Sequence, residues 1–283
     1  MVLSSTTTST INDDLKIINK LKDLNPNAIY ILKAALFYNA PIDLLKGMDL
    51  SSIDFLVGGE IEFGVEPIVQ KINNQSNYYN DVPGIFFKEG EEWVMTEFNN
   101  WNKEIDELPV PDRSIINNSL YVRPDTGEPQ ATIATSRGCP AACIYCLTPT
   151  ISGKKVRFRS PQSVLDELMN CYEKFNIKNF FFKSDTFTID KKWVKDVCNL
   201  IKKSKLHNKI EWVANSRVKP LEQETLNIMK EAGCWLVAFG FESGSDETLK
   251  KIKKGANVEN NLIAAEYTKS AGLKLYGFYL IGL

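Results

Sequence analysis

The stretch ATIATSRGCPAACIYC, residues 131–146, runs from a short apolar segment directly into three closely spaced cysteines. The spacing is C-x3-C-x2-C, and Gly138 and Pro140 favour an irregular loop over a helix at this point. The chain contains a single histidine, His207, so a metal site here has to be built mainly from sulfur. The stretch therefore predicts a strand that ends in a metal-binding loop.

Three thiolates in one loop suit a [4Fe-4S] cluster in which one iron stays free for another ligand. Cys139, Cys143 and Cys146 are the predicted iron ligands, and no catalytic residue is assigned beyond them. Two other interpretations stay open on the residues alone. The loop could form a zinc site that lacks its fourth ligand, or its cysteines could be small buried residues that bind nothing.

The sequence that surrounds and follows the loop repeats a pattern of apolar runs separated by amphipathic stretches. Ser160 and Pro161 are typical of a helix start, because a serine N-cap precedes a ring already set for the first helical turn. Five strand-like runs follow the pattern: ATIATS, NFFFKS, IEWVAN, WLVAFGF and LKLYGFYLIG. Residues 128–283 are therefore expected to form an α/β unit, a partial parallel (β/α) barrel.

The sequence before the loop also alternates helix and strand. Helical spacing marks residues 13–24, and the apolar run 28–36 is expected to be a buried parallel strand. We expect residues 1–80 to form a partial doubly wound, Rossmann-like domain, in which Met1 to Leu3 lead into a helix-capping Ser/Thr run without a strand partner. Residues 81–127 hold two short apolar runs and then several prolines, which predicts a hairpin and a proline-rich linker.

The composition of the chain excludes several classes of protein. Lys plus Arg number 34 against 35 for Asp plus Glu, so no overall field attracts nucleic acid or an anionic membrane. No window reaches the roughly 18 uninterrupted apolar residues of a membrane span, and residues 1–30 lack a basic start before an apolar core. The six cysteines do not form the pattern of a disulfide framework. We expect a cytoplasmic protein without a membrane segment or a nucleic-acid partner.

Cys139, Cys143, Tyr145 and Cys146 together resemble the cysteine motif of the radical S-adenosylmethionine (SAM) superfamily. The resemblance covers residues 125–283 and implies a [4Fe-4S] cluster whose free iron binds the amino and carboxylate groups of SAM. It also implies that one electron from the reduced cluster splits SAM to a 5′-deoxyadenosyl radical. Tyr145 matches the position of an aromatic side chain that borders the adenine.

Polar residues at the ends of the next two strands resemble further cofactor contacts of the family. Asp185 and Thr186 match a loop that meets the methionine amino group of SAM, although this loop could instead cap the helix that follows. Asn215 and Arg217 resemble a polar cluster that faces the cofactor. Arg217 could also be a surface ion-pair residue.

The segment GFESGS, residues 240–245, closely resembles the family's G-x-E-S-G-S segment and makes Glu242 and Ser243 candidate cofactor contacts. Polar residues at the carboxyl ends of barrel strands face the active site in general, which supports this assignment independently. Gly58-Gly59-Glu60 imitates another signature of the superfamily, but it precedes the cysteine loop. We interpret it as a turn of the first domain.

Two other groups of residues have simpler interpretations. Lys154, Lys155, Arg157 and Arg159 form a basic run just past the loop, which we interpret as a solvated charged loop rather than a surface for an anionic substrate. The remaining cysteines are interpreted as small core residues: Cys171, Cys198 and Cys234.

The order of the domains resembles the cobalamin-dependent subgroup of the superfamily, which includes methyltransferases and the anaerobic magnesium-protoporphyrin ester cyclase type. This resemblance implies a radical enzyme that transfers a methyl group or modifies an unactivated carbon of a small molecule, with a reductant protein such as ferredoxin or flavodoxin. Cobalamin is expected only with an incomplete site, because residues 1–138 contain no histidine for the subgroup's Asp-x-His loop. We expect the chain to be a fragment, truncated within the barrel.

Two alternative functions remain. A methylthiotransferase acting on RNA or protein belongs to the same superfamily, but that class has three further cysteines upstream, and residues 1–138 contain none. The chain could instead be a non-catalytic iron-sulfur or zinc-binding fragment. Iron with acid-labile sulfide would distinguish a cluster from zinc, and SAM cleavage after reduction would distinguish an enzyme from a binding module.

Overall fold

A computed structural model describes residues 1–98 and 104–282 of the protein. The chain forms two compact units, one of residues 1–103 with 150–153 and one of residues 104–149 with 154–283. The expected limits after residues 80 and 127 divide the chain more finely than this and stay a prediction. No helix in the described ranges combines the length and apolar character needed to cross a bilayer.

The first unit is built on one five-stranded sheet. Its strands are β1 (Val2–Ser5), β2 (Tyr30–Lys33), β3 (Phe55–Val57), β4 (Ile85–Glu89) and β5 (Glu92–Met95). The strands lie side by side in chain order, the first three parallel and the last two joined as an antiparallel hairpin. The hairpin turns at Gly90, whose φ of +64° is a conformation that glycine adopts without steric cost.

The two helices of this unit, α1 (Ile11–Leu24) and α2 (Glu62–Asn73), belong to different buried clusters. Leu32 of β2 shares a cluster with residues of α1, whereas its neighbour Ile31 shares a cluster with Ile68 of α2. Because successive side chains of a strand point to opposite faces, the helices cover opposite faces of the sheet. This arrangement confirms the expected doubly wound α/β fold.

The first residues of the chain correct one expectation. Residues 1–3 were expected to have no strand partner, but Val2 to Ser5 form an edge strand that pairs in parallel with β2 from Tyr30 to Lys33. The burial of this strand alternates along its length, with Val2 and Ser4 the less exposed residues. The strand was not predicted because two of its four residues are serines, so the sequence does not form an apolar run. An edge strand needs only one buried face and tolerates such polar residues on the other.

The second unit is built on a parallel sheet. Its strands are β6 (Gln130–Ala134), β9 (Asn179–Lys183), β10 (Glu211–Ser216), β11 (Cys234–Glu242) and β12 (Lys274–Tyr279). They lie in the order β12-β11-β10-β9-β6, and all four neighbouring pairs are parallel. A separate antiparallel ribbon consists of β7 (Ser136–Arg137) and β8 (Arg157–Phe158). The five parallel strands confirm the expected partial (β/α) barrel.

The helices of this unit connect the parallel strands and pack on them. They are α4 (Pro161–Phe175), α5 (Lys191–Lys203), α6 (Gln223–Glu231), α7 (Asp246–Lys251) and α8 (Val258–Ser270), and the short helix α3 (Thr148–Ile151) follows the cysteine loop. The predicted start of α4 is confirmed, because the Ser160 hydroxyl accepts a hydrogen bond from the Ser163 amide and Pro161 follows the cap. The core beneath the helices contains the three remaining cysteines in the role expected for them: Cys171, Cys198 and Cys234.

The basic run after the cysteine loop is only partly a solvated loop. Lys154 and Lys155 are exposed, but Arg157 is buried in β8. The Arg159 side chain is also largely buried and forms an ion pair with the buried carboxylate of Glu167. Sequence reasoning treated the run as one segment and missed that a strand inside it turns alternate side chains inward.

Candidate functional site

The cysteine loop leaves the sheet at the carboxyl end of β6 and β7. Gly138 begins it with a φ of +93°, a backbone conformation that residues with a side chain rarely adopt. Cys139 and Cys143 are buried and Cys146 is partly exposed. All three line one cavity of about 180 Å³. The structure therefore brings the predicted iron ligands to the edge of the sheet where functional sites of parallel barrels form.

The three thiols share this cavity without converging on a point. Among the described residues, no group of three or more His, Cys, Asp or Glu side chains is close enough together to hold a single metal ion. A structural zinc site takes four protein ligands, whereas this loop offers three thiols. A cube with one thiolate on each of three irons instead spreads its ligands around a loop. The donor set and its spacing fit a cluster.

The end of β10 and the residues directly after β9 and β10 provide polar side chains that line the same cavity. Asp185, Asn215 and Arg217 all line the cavity. Arg217 donates from Nη1 to the sulfur of Cys143 at 3.4 Å and from Nη2 to the carbonyl oxygen of Lys254. The guanidinium therefore places a permanent positive charge beside a predicted iron ligand, and it is not a surface ion-pair residue.

A buried ion pair forms the next part of the wall. Lys254 Nζ lies 2.7 Å from Glu242 Oε1 and 3.3 Å from the Tyr145 hydroxyl, and both charged side chains are buried. Burial raises the pKa of the Tyr145 phenol, and the nearby sulfur of Cys143 and carboxylate of Glu242 add to the shift. Tyr145 therefore stays protonated and acts as a neutral polar group.

The backbone around this pair is shaped to hold it. Glu242 has a φ of +63°, and the pairing of β11 with β12 is irregular between Gly240 and Glu242. A Cβ on Gly240 would lie 2.8 Å from Lys254 Nζ and would also collide with the Glu242 carboxylate. A side chain at 240 would thus have to displace the ends of the Glu242 and Lys254 side chains, and the unusual backbone of Glu242 is of a kind that is concentrated at functional sites.

Two of the predicted contact residues are not among those that line the cavity. Thr186 is buried, and its hydroxyl donates to the carbonyl oxygen of Asp185. Ser243 accepts a hydrogen bond from the Ser245 amide. The helix-capping alternative proposed for the loop after β9 is realised further on, where Asp190 accepts from the amide of Trp193 at the start of α5.

Sequence reasoning missed Lys254. This lysine lies in the run KKIKKG, residues 250–255, where its neighbours Lys250, Lys251 and Lys253 are exposed. A cluster of lysines after a short helix predicts a solvated surface, and nothing in the pattern distinguishes the one that turns inward. Phe278 of β12 was missed for a related reason, because it lines the cavity from a strand that reads as uniformly apolar.

Residues 133–283 match the radical SAM superfamily, which is more than half of the chain. A similar curated protein is an uncharacterised methyltransferase of Pyrococcus horikoshii, 30% identical over 276 residues that cover 98% of this chain and 59% of that protein. Another is the anaerobic magnesium-protoporphyrin IX monomethyl ester cyclase of Cereibacter sphaeroides, 26% identical over 235 residues that cover 82% of this chain and 38% of that protein. The chain thus spans less than two thirds of the length of either relative.

Two solved structures share the fold over 99% of this chain. The radical SAM methyltransferase TsrM from Kitasatospora setae, with cobalamin and a [4Fe-4S] cluster bound, superposes with a TM-score of 0.80 at 17% identity over 58% of its own length. The cobalamin-dependent radical SAM enzyme OxsB superposes with a TM-score of 0.81 at 19% identity over 41% of its length. Together with the family match and the cysteine loop, these likenesses show that the chain belongs to the radical SAM superfamily.

Proposed function

We propose that this chain is the cofactor-activating part of a radical SAM enzyme. One observation carries the proposal: three thiols with C-x3-C-x2-C spacing line the same cavity as Asp185, Asn215, Arg217 and Glu242, at the carboxyl end of a parallel sheet. Cys139, Cys143 and Cys146 would hold a [4Fe-4S] cluster, and SAM would bind beside it. When bound, the cluster supplies the electron that cleaves SAM reductively and yields a 5′-deoxyadenosyl radical.

The residues of the chain prepare the cavity for this chemistry. Arg217 donates to the sulfur of Cys143 and so keeps a permanent positive charge beside a proposed iron ligand. Lys254 neutralises Glu242, so that the carboxylate is held in one orientation at the cavity wall. Tyr145 adds an aromatic ring and a neutral hydroxyl next to Cys146. A radical needs a dry, ordered site to avoid side reactions, and this wall of buried, mutually bonded side chains supports one.

The proposed reaction is methyl transfer or modification of an unactivated carbon of a small molecule. The curated relatives include proteins named as methyltransferases and as a cyclase, and this supports the assignment at the level of class. A second candidate function is methylthiolation, because one relative is named as a putative methylthiotransferase and is 27% identical over 281 residues. Residues 1–138 contain no cysteine for a second cluster, and this favours methyl transfer or carbon modification over methylthiolation.

Cobalamin is bound in two of the similar solved structures, but this chain offers it no imidazole. The single histidine, His207, lies between α5 and β10 in the second unit, and the first unit contains none. No step of the proposed reaction is assigned to cobalamin. A ferredoxin or flavodoxin as the electron donor and a cytoplasmic location complete the proposal, and six free cysteines are compatible with a reducing compartment.

Anaerobic reconstitution with iron and sulfide, followed by dithionite reduction with SAM, tests the function. We expect 5′-deoxyadenosine from the wild-type chain and none from Cys143→Ala. Cys198→Ala is the matched control, because it removes a thiol of α5 that is buried in the core and does not line the cavity. Bound zinc in place of iron and sulfide would contradict the proposal, and a loaded cluster without product would reduce the chain to a cluster-binding module.

A further inference from the structure

The carboxylate of Asp185 touches the chain on both sides of the three cysteines. Its Oδ2 accepts a hydrogen bond from the Gly138 amide at 2.9 Å, directly before Cys139. Its Oδ1 accepts a hydrogen bond from the Thr148 hydroxyl at 3.2 Å, two residues after Cys146. One side chain at the end of β9 therefore bridges the two ends of the loop that carries the predicted iron ligands.

Asp185 is itself held in place by the sheet. The Thr135 amide donates to the carbonyl oxygen of Lys183 at 2.9 Å, which continues the pairing of β6 with β9 beyond their last residues. One residue further, the buried hydroxyls of Ser136 and Ser184 lie 2.6 Å apart. These contacts carry the two segments side by side up to Asp185, so its position is set by the protein before any ligand binds.

The interior of the loop has its own anchors, which do not fix its ends. The Cys146 amide donates to the carbonyl oxygen of Cys143, and the Ile144 amide donates to the carbonyl oxygen of Ile252. Gly138 has a φ of +93° and follows Arg137, which pairs with Arg157 in the β7–β8 ribbon. The bond from its amide to Asp185 therefore adds to an entry that the ribbon already positions, at a residue with no side chain of its own to restrain it.

We infer that Asp185 is a positioning residue that clamps the cysteine loop closed, and that Thr148 is the second half of the clamp. The inference rests on the proposed function, since the purpose of the clamp is to keep three thiols in the arrangement that a cluster requires. It gives Asp185 a role that differs from the cofactor contact expected from the family resemblance. Charge-assisted hydrogen bonds to a carboxylate are stronger than neutral ones, so a single acid can hold both ends.

Four variants separate the clamp from other roles of Asp185. Asp185→Asn keeps the shape of the side chain but replaces one carboxylate oxygen by an amide NH2. That NH2 group then faces either the Gly138 amide or the Thr148 hydroxyl, both of which donate to the carboxylate in the wild type. Thr148→Val removes the hydroxyl and keeps the branched shape, whereas Thr148→Ser keeps the hydroxyl and removes the methyl group. Asp196→Asn on α5 is the matched control, because this acid pairs only with exposed Lys192 among its described partners.

The first measurement is iron release from the reconstituted protein to a ferrous chelator, without SAM. We expect release about tenfold faster in Asp185→Asn, about threefold faster in Thr148→Val, and unchanged in Thr148→Ser and Asp196→Asn. The double variant Asp185→Asn/Thr148→Val should be no faster than Asp185→Asn, because both changes open the same contact. Rescue by the conservative serine separates positioning from a general loss of stability.

The second measurement needs no cluster: hydrogen exchange of the Gly138 amide in the metal-free chain. We expect protection in the wild type and in Thr148→Ser, and its loss in Asp185→Asn. If the wild type fails to bind iron and sulfide, the proposed function fails while this exchange still judges the clamp. Unchanged exchange and iron release in Asp185→Asn, with weaker SAM binding, would overturn the clamp and make Asp185 a ligand contact.

Discussion

The two ends of the second sheet each hold a buried cation against carboxylates, with different consequences. At the amino end, Arg123 donates to both oxygens of Asp125, to Asn179 and to Glu211, all at 2.8 to 2.9 Å. Its guanidinium also lies 4.3 Å from the centre of the Trp235 ring. The edges and one face of the Arg123 guanidinium thus contact residues that precede β6 or lie in the first two positions of β9, β10 and β11.

At the carboxyl end, Lys254 has a smaller and more deeply buried set of partners. Its side chain and that of Glu242 are 5% and 9% exposed, whereas Asp125 and Glu211 beside Arg123 are 54% and 60% exposed. The amino-end carboxylates therefore keep contact with water if their cation is lost, whereas the Glu242 side chain is largely buried and only borders the cavity. The carboxylates at the amino end of the sheet are therefore solvated, while the charges at the carboxyl end are confined beside a cavity.

The largest effect is expected from removal of the cation at the carboxyl end. Lys254→Met leaves the Glu242 carboxylate buried and unpaired, which should lower the free energy of unfolding by about 3–5 kcal/mol. Adding Glu242→Gln should restore part of the loss, because it removes the uncompensated charge. Urea unfolding of the metal-free proteins measures both. A midpoint equal to that of the wild type in Lys254→Met would show that the Glu242 carboxylate is not confined away from water, unlike what is expected from its burial.

A smaller effect is expected at the amino end. Arg123→Met should cost about 2–3 kcal/mol, since Asp125 and Glu211 regain water while the buried amide of Asn179 loses a partner. Iron loading and SAM binding should stay at wild-type levels, measured on the reconstituted protein. Weaker SAM binding in this variant would mean that the two ends of the sheet are coupled and would remove the distinction drawn between them.

The smallest effect is a dependence of stability on pH. The hydrogen bond from Arg123 lowers the pKa of Asp125 from its usual 3.8 to about 2. A carboxyl whose pKa is lower in the folded state stabilises the fold above its unfolded pKa, and this contribution is lost as the pH falls from about 4 to about 2. Urea titrations of the metal-free chain across this range should show a flatter acid limb in Arg123→Met than in the wild type.

The cysteine loop and the strand pattern could be predicted because each depends on local sequence. The spacing of Cys139, Cys143 and Cys146 states a ligand geometry directly, and apolar runs between amphipathic stretches specify a parallel sheet. Asp185, Asn215 and Arg217 were predicted from the resemblance to the family, and Glu242 from the resemblance together with its place at the end of a strand. These four residues do line the cavity, and their roles toward SAM stay predictions.

The remaining features depend on contacts between distant parts of the chain. Lys254 is distinguished from its neighbouring lysines only by Glu242, which lies twelve positions earlier, and by Tyr145 on the cysteine loop. Arg159 is largely buried because it pairs with Glu167, which lies about two turns into α4. Val2 to Ser5 form a strand because β2 offers an open edge. In each case a tertiary partner overrides what local composition predicts.

Glu242 has a positive φ that glutamate adopts at a cost, while its carboxylate has a place in the cavity wall beside Lys254. Glycine or asparagine would adopt this conformation at lower cost than glutamate, so Glu242→Gly should relax the main chain while it removes the carboxylate. A β-branched residue such as valine would lose on both counts. Glu242→Gly would also leave the buried Lys254 ammonium without its carboxylate partner, so relief of the backbone and loss of the ion pair act on stability in opposite directions. A library of substitutions at 242 sorted once by expression and once by SAM cleavage should therefore give two different orders.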